Sequence, residues 1–244
     1  TGKDIQLRFS QKQQPKKVTS KNPMPLNRRN IPANKTFDNF VVGACNQFAH
    51  AASLAVAESP GDNQYNPLFI FGSTGLSKTH LLYAIGNYVQ QEQPHIQPLY
   101  VTAEQFTNQM ISAIRHKEMA LFQAKYRDNC QLLLIDDIQF FSGKDRTQEE
   151  LFHTFEWLKD RGKQAVFTAD VLPREIKGLA PRLQTRFESG MLADTQPPDM
   201  ETMLAILQQK AENMNMILDN DVSQYIASGV RGNVRELEGV LNRL

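Results

Sequence analysis

Residues 67–79 read Pro67-Leu68-Phe69-Ile70-Phe71-Gly72-Ser73-Thr74-Gly75-Leu76-Ser77-Lys78-Thr79, and they decide the fold. The first five form a short apolar run rich in strand formers. A loop with two glycines follows and ends in Lys78-Thr79. Beyond it Leu81, Leu82, Ile85 and Val89 recur at helical spacing. Strand, glycine loop and helix together are the layout of a phosphate loop, where backbone N–H groups curl around an anion at a helix N-terminus. In that layout Lys78 neutralises β and γ phosphates and the Thr79 hydroxyl holds Mg²⁺. Gly72, Gly75, Ser77 and His80 complete the candidate nucleotide-binding set. The bland alternative is a glycine-containing turn with an incidental Lys-Thr.

Ser77 departs from the usual pattern, which has glycine there. If its φ is positive, the side chain costs about 1–2 kcal/mol of strain; otherwise it crowds the phosphates. Either outcome could weaken nucleotide binding or hydrolysis, by as much as about tenfold, without abolishing it.

Downstream, Leu132-Leu133-Leu134-Ile135 reads as a buried strand that releases Asp136-Asp137 at its C-terminal end. Open α/β sheets bind ligands at that rim. One acid can then join the Mg²⁺ shell while its neighbour polarises a water; a plain turn after a core strand explains one acid more readily than two. Further strands are expected at Pro98–Thr102 and Gln164–Thr168, helices over Gln47–Glu58 and Gln148–Asp160, and one or two helices over Ala103–Tyr126. Strands alternating with helices predict a mostly parallel sheet covered on both faces. After Pro197-Pro198 the pattern turns helical, which predicts a small second unit. The expected organisation is a basic linker at 1–35, a nucleotide-binding core at 36–195 and an incomplete helical lid at 196–244.

Composition bounds the rest. The chain has 244 residues, with 41% apolar and 22% charged residues, enough for a sizeable core. No apolar run approaches the roughly 20 residues of a bilayer span. Cys45 and Cys130 show neither a zinc spacing nor a disulfide framework, and no secretory signal pattern is present. A cytoplasmic fragment of a longer protein is expected. Residues 1–35 carry nine Lys or Arg against Asp4 alone, a net +8, while the other 18 basic and 25 acidic residues give −7. The tail is too polar to bury itself. It reads as a solvated tether, or as a strip that touches nucleic-acid phosphates.

Three strings, YNPLFIFGSTGLSKTHLLYAIGN (65–87), LLLIDDIQFFSGKDRTQEELFHTF (132–155) and GNVRELEGVLNRL (232–244), resemble the DnaA family of bacterial chromosomal replication initiators, which are AAA+ proteins. The likeness runs from Thr36 to Leu244, and HAASLAVAESPG (50–61) is similar to the cyanobacterial branch. The resemblance implies an AAA+ P-loop core with a helical lid, ATP or ADP with Mg²⁺ between them, weak ATPase activity, and ATP-dependent homo-oligomers on origin DNA. It gives Lys78 and Thr79 to phosphates and Mg²⁺, Asp136 to Mg²⁺, Asp137 to water activation, Asp170 to sensing the γ-phosphate and Arg235 to the nucleotide from the lid. In APRLQTRF (180–187), it implies that Arg182 and Arg186 belong to the box in which the later arginine reaches a neighbour's ATP. Ile111, Lys144 and Arg146 match positions used on single-stranded DNA. Read alone, Met110, Ile111 and Ile114 are core residues, and Lys144 and Arg146 belong to an ordinary polar loop.

The resemblance also implies a replicative helicase and acidic phospholipids as partners, and a further helix-turn-helix domain for duplex origin boxes. Val171 and Glu188-Ser189 depart from the family pattern. Two other readings stand beside this one: a nucleotide-impaired paralogue acting as an interaction module, in which Ser77 blocks tight ATP binding, and a small-molecule kinase. The kinase has no need of the Arg182/Arg186 pair.

Overall fold

A computed structural model describes residues 31–61, 63–230 and 232–243. The basic linker expected over 1–35 lies outside the described residues as far as Asn30. Its last five residues pack on the core. Asn87 is buried, and its side-chain amide donates to the carbonyl oxygens of Pro32 at 2.9 Å and Lys35 at 2.8 Å, while Ile31 lies over Gly86. A buried amide needs such partners, and this strap supplies them.

Helix α1 (Gln47–Glu58) leads into β1 (Leu68–Phe71), α2 (Lys78–Glu92) and β2 (Pro98–Thr102). Then come α3 (Ala103–Arg115), α4 (Met119–Gln123), β3 (Leu132–Asp136), α5 (Asp145–Lys159), β4 (Gln164–Ala169), α6 (Pro181–Glu188) and β5 (Met191–Asp194). Local chemistry sets several boundaries. Thr102 and Gln105 form a reciprocal capping box that starts α3 directly at the end of β2. Of the one or two helices expected over Ala103–Tyr126, two form, α3 and α4, parted at Lys117, whose φ is 58°. Strand β5 was not expected from the sequence; it is four residues long and pairs with β1 far away in the chain.

All strand pairings are parallel, in the order β2-β3-β4-β1-β5. Alternate side chains feed two cores. Phe69, Leu133, Ile135 and Phe167 pack with residues of α3, α5 and α6, whereas Leu68, Ile70, Leu134 and Val166 pack with α1 and α2. A sheet buried on both faces explains the near-continuous apolar strands. The third cluster belongs to the lid, where α7 (Met200–Asn213), α8 (Asn220–Gly229) and α9 (Val234–Leu241) close around Leu207, Ala227 and Leu237.

Candidate nucleotide site

The strand order places the C-terminal ends of β1, β4 and β3 side by side. The glycine loop leaves β1, Asp170 follows β4, and Asp136-Asp137 end β3. The loop, Asp137, Asp170 and the lid line a cleft of about 340 Å³, and the buried Asp136 is bonded to Thr79 of that lining.

Two loop glycines are required by space as well as backbone. Gly72 has φ 151°, and a Cβ there would lie 2.2 Å from the Thr195 carbonyl oxygen; Gly75 has φ 86°, and its Cβ would lie 2.0 Å from Asn233 Oδ1. Ser77 stands at φ 62°, ψ 19°, the strained left-handed case anticipated from its sequence position. Strain of about 1–2 kcal/mol follows. Lys78 is buried, and its Nζ donates to Gly72 O at 2.6 Å, Ser73 O at 3.0 Å and Asp170 Oδ1 at 3.0 Å. All three ammonium protons are thereby engaged.

Strand β3 is buried along its whole length, so Asp136 must be fully bonded. Thr79 Oγ1 donates to its Oδ2 at 2.8 Å and Tyr100 OH donates to the same oxygen at 3.1 Å, while Thr168 Oγ1 donates to Oδ1. Burial and the Asp136 charge both push the Tyr100 phenol up, which keeps it a donor. The hard oxygens of Thr79 and Asp136 stand together, as magnesium requires, and phosphates and water complete such a shell. Among the described residues no group of three or more His, Cys, Asp or Glu side chains offers an all-protein metal cage. Asp137 is left-handed at φ 60°, and its N–H donates to Thr168 Oγ1 at 3.0 Å. Burial, and then the Asp136 charge, raise its carboxyl above the ordinary range.

His80 lines the cleft, but its Nε2 donates to the Thr36 carbonyl at 2.9 Å and its ring meets Phe40 edge-on at 5.2 Å. Burial lowers its pKa to about 4, so the imidazole is neutral at pH 7. On the lid side, Arg235 is exposed on the cleft wall, and among the described residues its guanidinium has no ion pair. The start of α9 is tied to the loop, since Val234 N–H donates to Gly75 O at 3.1 Å. A second tie is ionic: Glu238 accepts from Lys210 across the lid and lies 4.0 Å from Lys35 of the strap.

Five of the expected site residues lie away from the cleft. Arg182 stacks its guanidinium 4.9 Å from the Phe152 ring and lies 4.0 Å from Glu149; Arg186 pairs with Glu156 at 2.9 Å. Both arginines are on α6, more than two-fifths exposed. Met110 is buried, as a core reading expects, whereas Ile111 and Ile114 are 41% and 45% exposed on α3. That exposure removes the plain core reading for the two isoleucines. Lys144 and Arg146 sit at the start of α5.

Sequence reading missed Thr168, Tyr100 and Gln139, which hold the acidic groups in place. Thr168 and Tyr100 were visible only as strand residues, because their reach to Asp136 needs β4 and β2 on either side of β3. Gln139 was legible merely as the second residue after the acidic pair.

Residues 31–194 match the family model of the bacterial DnaA ATPase domain. The chain belongs to the DnaA family. It is 48% identical over 246 residues to the chromosomal replication initiator protein DnaA of Thermodesulfovibrio yellowstonii, covering 100% of this chain and 56% of that protein. It spans about half the length of the curated DnaA relatives it matches. Domain III of Thermotoga maritima DnaA superposes with a TM-score of 0.85 at 43% identity, covering 88% of each chain. A DnaA bound to AMPPCP and single-stranded DNA gives a TM-score of 0.80 at 35% identity, over 87% of this chain and 65% of that one. The parallel sheet and its helices are thus those of a DnaA-type AAA+ domain. Among the described residues no helix is long and apolar enough to cross a membrane.

Proposed function

We propose that this chain is the nucleotide-switched core of a cytoplasmic replication initiator, which binds ATP or ADP with Mg²⁺, assembles into homo-oligomers in its ATP state and engages single-stranded origin DNA. The convergence of Lys78, the Thr79–Asp136 pair, Asp137, Asp170 and Arg235 on one cleft carries this reading. Lys78 and the loop N–H groups bind the phosphates, and Arg235 reaches them from the lid. Thr79 and Asp136 would hold Mg²⁺, which supplies charge neutralisation at the phosphate oxygens. Asp137 orients the attacking water. The water oxygen bonds to the γ-phosphorus as its bond to the bridging oxygen breaks, the water proton passes to Asp137, and ADP and phosphate leave.

The outward position of Arg186 suits a role on a neighbouring subunit's ATP, with Arg182 beside it on the same helix. Exposed Ile111 with Lys144 and Arg146 suits single-stranded DNA, the apolar side chain against sugar or base and the cations against phosphates. A replicative helicase and acidic phospholipids are further partners of the whole protein.

A second reading, a nucleotide-impaired interaction module, is favoured by the left-handed Ser77 alone. Calorimetric titration with ATP and Mg²⁺ decides between them: saturable binding supports the switch, and no binding up to millimolar ATP supports the module.

A further inference from the structure

The carboxylates of Asp137 and Asp170 follow adjacent strands, and one side chain joins them. Gln139 Nε2 donates to Asp137 Oδ1 at 3.1 Å and to Asp170 Oδ2 at 3.0 Å. A primary amide nitrogen carries two protons, and both neighbours only accept. Turned over, the amide would set its carbonyl oxygen against two negative charges, so the chemistry of the neighbours fixes its orientation. Gln139 Oε1, on the same planar amide, is buried and has no hydrogen-bond partner among the described residues. Buried polar atoms of this kind call for an explanation.

The backbone supplies the reason that Gln139 stands there. The left-handed turn at Asp137 starts a short 3₁₀ turn, Ile138–Phe141, whose two ends are buried in the core below α3. With Ile138 and Phe141 anchored, Gln139 and Phe140 are left on the wall of the cleft. Asp170 uses its other oxygen for Lys78 Nζ at 3.0 Å. A continuous chain therefore runs Lys78, Asp170, Gln139, Asp137, from the phosphate loop to the acid beside the reacting phosphate.

We infer that Gln139 is a positioning residue for ATP hydrolysis: its amide fixes the Asp137 carboxylate and couples it, through Asp170, to the lysine that engages the triphosphate. This rests on the ATP reading of the cleft. Gln139 exchanges no proton and forms no bond to phosphorus. Its Oε1 is buried and takes no part in this role, so the amide acts by holding the two carboxylates alone. When a triphosphate draws Lys78 away from Asp170, the displacement reaches Asp137 through this single side chain.

The test compares the wild type with Gln139→Leu and the unbranched Gln139→Met, measuring single-turnover ATP hydrolysis, ATP affinity by calorimetry and the unfolding midpoint. Hydrolysis is expected to fall roughly ten- to hundredfold, with ATP affinity within about twofold and the midpoint retained. Wild-type hydrolysis in either folded variant overturns the inference and leaves the ATP reading intact. A parallel fall of rate, affinity and midpoint in both variants also overturns it, because Gln139 would then be structural. Absence of ATP binding by the wild type removes the ATP reading and this inference together.

Discussion

Lys78 Nζ and Asp170 Oδ1 are 3.0 Å apart, in an ion pair that joins the phosphate loop to the end of the neighbouring strand. The lysine is 6% exposed and the aspartate 35%, so the pair is set half into the protein. A triphosphate entering the cleft competes with Asp170 for the same ammonium. The negative charge of Asp170 also stands against the incoming phosphates.

Asp170→Asn separates binding from chemistry. Without the competing charge, ATP is expected to bind about three- to tenfold more tightly, whereas hydrolysis falls by at least about tenfold if, as proposed, Asp170 senses the γ-phosphate. Calorimetry and a single-turnover assay on the same preparation check both halves. Weaker binding would show that Asp170 organises the loop more than it competes with the ligand.

Ser77→Gly relieves the left-handed backbone at φ 62°. Removal of the side chain relieves about 1–2 kcal/mol of strain, partly offset by the greater freedom of glycine in the unfolded chain, for a net stabilisation of about 0.5–1 kcal/mol. Denaturant unfolding measures this directly. ATP affinity should change by less than about threefold if the wild type is a working switch; a rise of about tenfold or more would favour the impaired-module reading.

Gly75→Ala tests the seam between loop and lid. The new methyl would fall 2.0 Å from Asn233 Oδ1, and the φ of 86° disfavours it in any case. The Val234 N–H to Gly75 O bond is then expected to open, with a loss of about 1–3 kcal/mol in stability. Faster hydrogen exchange at the Val234 amide, with α5 amides unchanged, is the outcome to look for.

The fold was legible where its signals are local. The apolar run, the two glycines and Lys78-Thr79 announce strand, loop and helix within thirteen residues, and the apolar strand before Asp136-Asp137 does the same for the acids. Contacts between distant strands were not legible. Gln139 acquires meaning only because β3 and β4 are neighbours, and β5 exists because Met191–Asp194 align with β1. Composition assigned residues 31–35 to a polar tether, yet Asn87 needed two carbonyl partners and found them there. The exposure of Ile111 was equally hidden, since helical spacing alone did not reveal which side of α3 the sheet would cover.

Acid should weaken the ionic tie between lid and strap. Burial alone would raise the Glu238 carboxyl, but the Lys210 hydrogen bond and the charges of Lys210 and Lys35 hold it below the ordinary range. A carboxylate depressed in the folded state contributes stability that is complete above its unfolded pKa of about 4.3 and is lost as pH falls through the folded value. The groups are partly exposed, so the contribution is about 0.5–1 kcal/mol. Glu238→Gln should therefore lower the unfolding midpoint by about 1–4 °C at pH 7, and the gap between variant and wild type should narrow as pH falls below the ordinary carboxylate range. A gap that persists unchanged in acid would show that packing, and not charge, is what the substitution disturbs.

In the proposed switch, one nucleotide is held by Lys78 of one subunit and reached by Arg186 of the next. The most direct measurement mixes two inactive proteins, Lys78→Ala, which keeps its arginine, and Arg186→Ala, which keeps its cleft. Each alone should hydrolyse ATP at least about a hundredfold more slowly than the wild type, and an equimolar mixture should recover activity well above the sum of the two. A mixture no faster than that sum, at concentrations where the wild type assembles with ATP, would contradict the shared site.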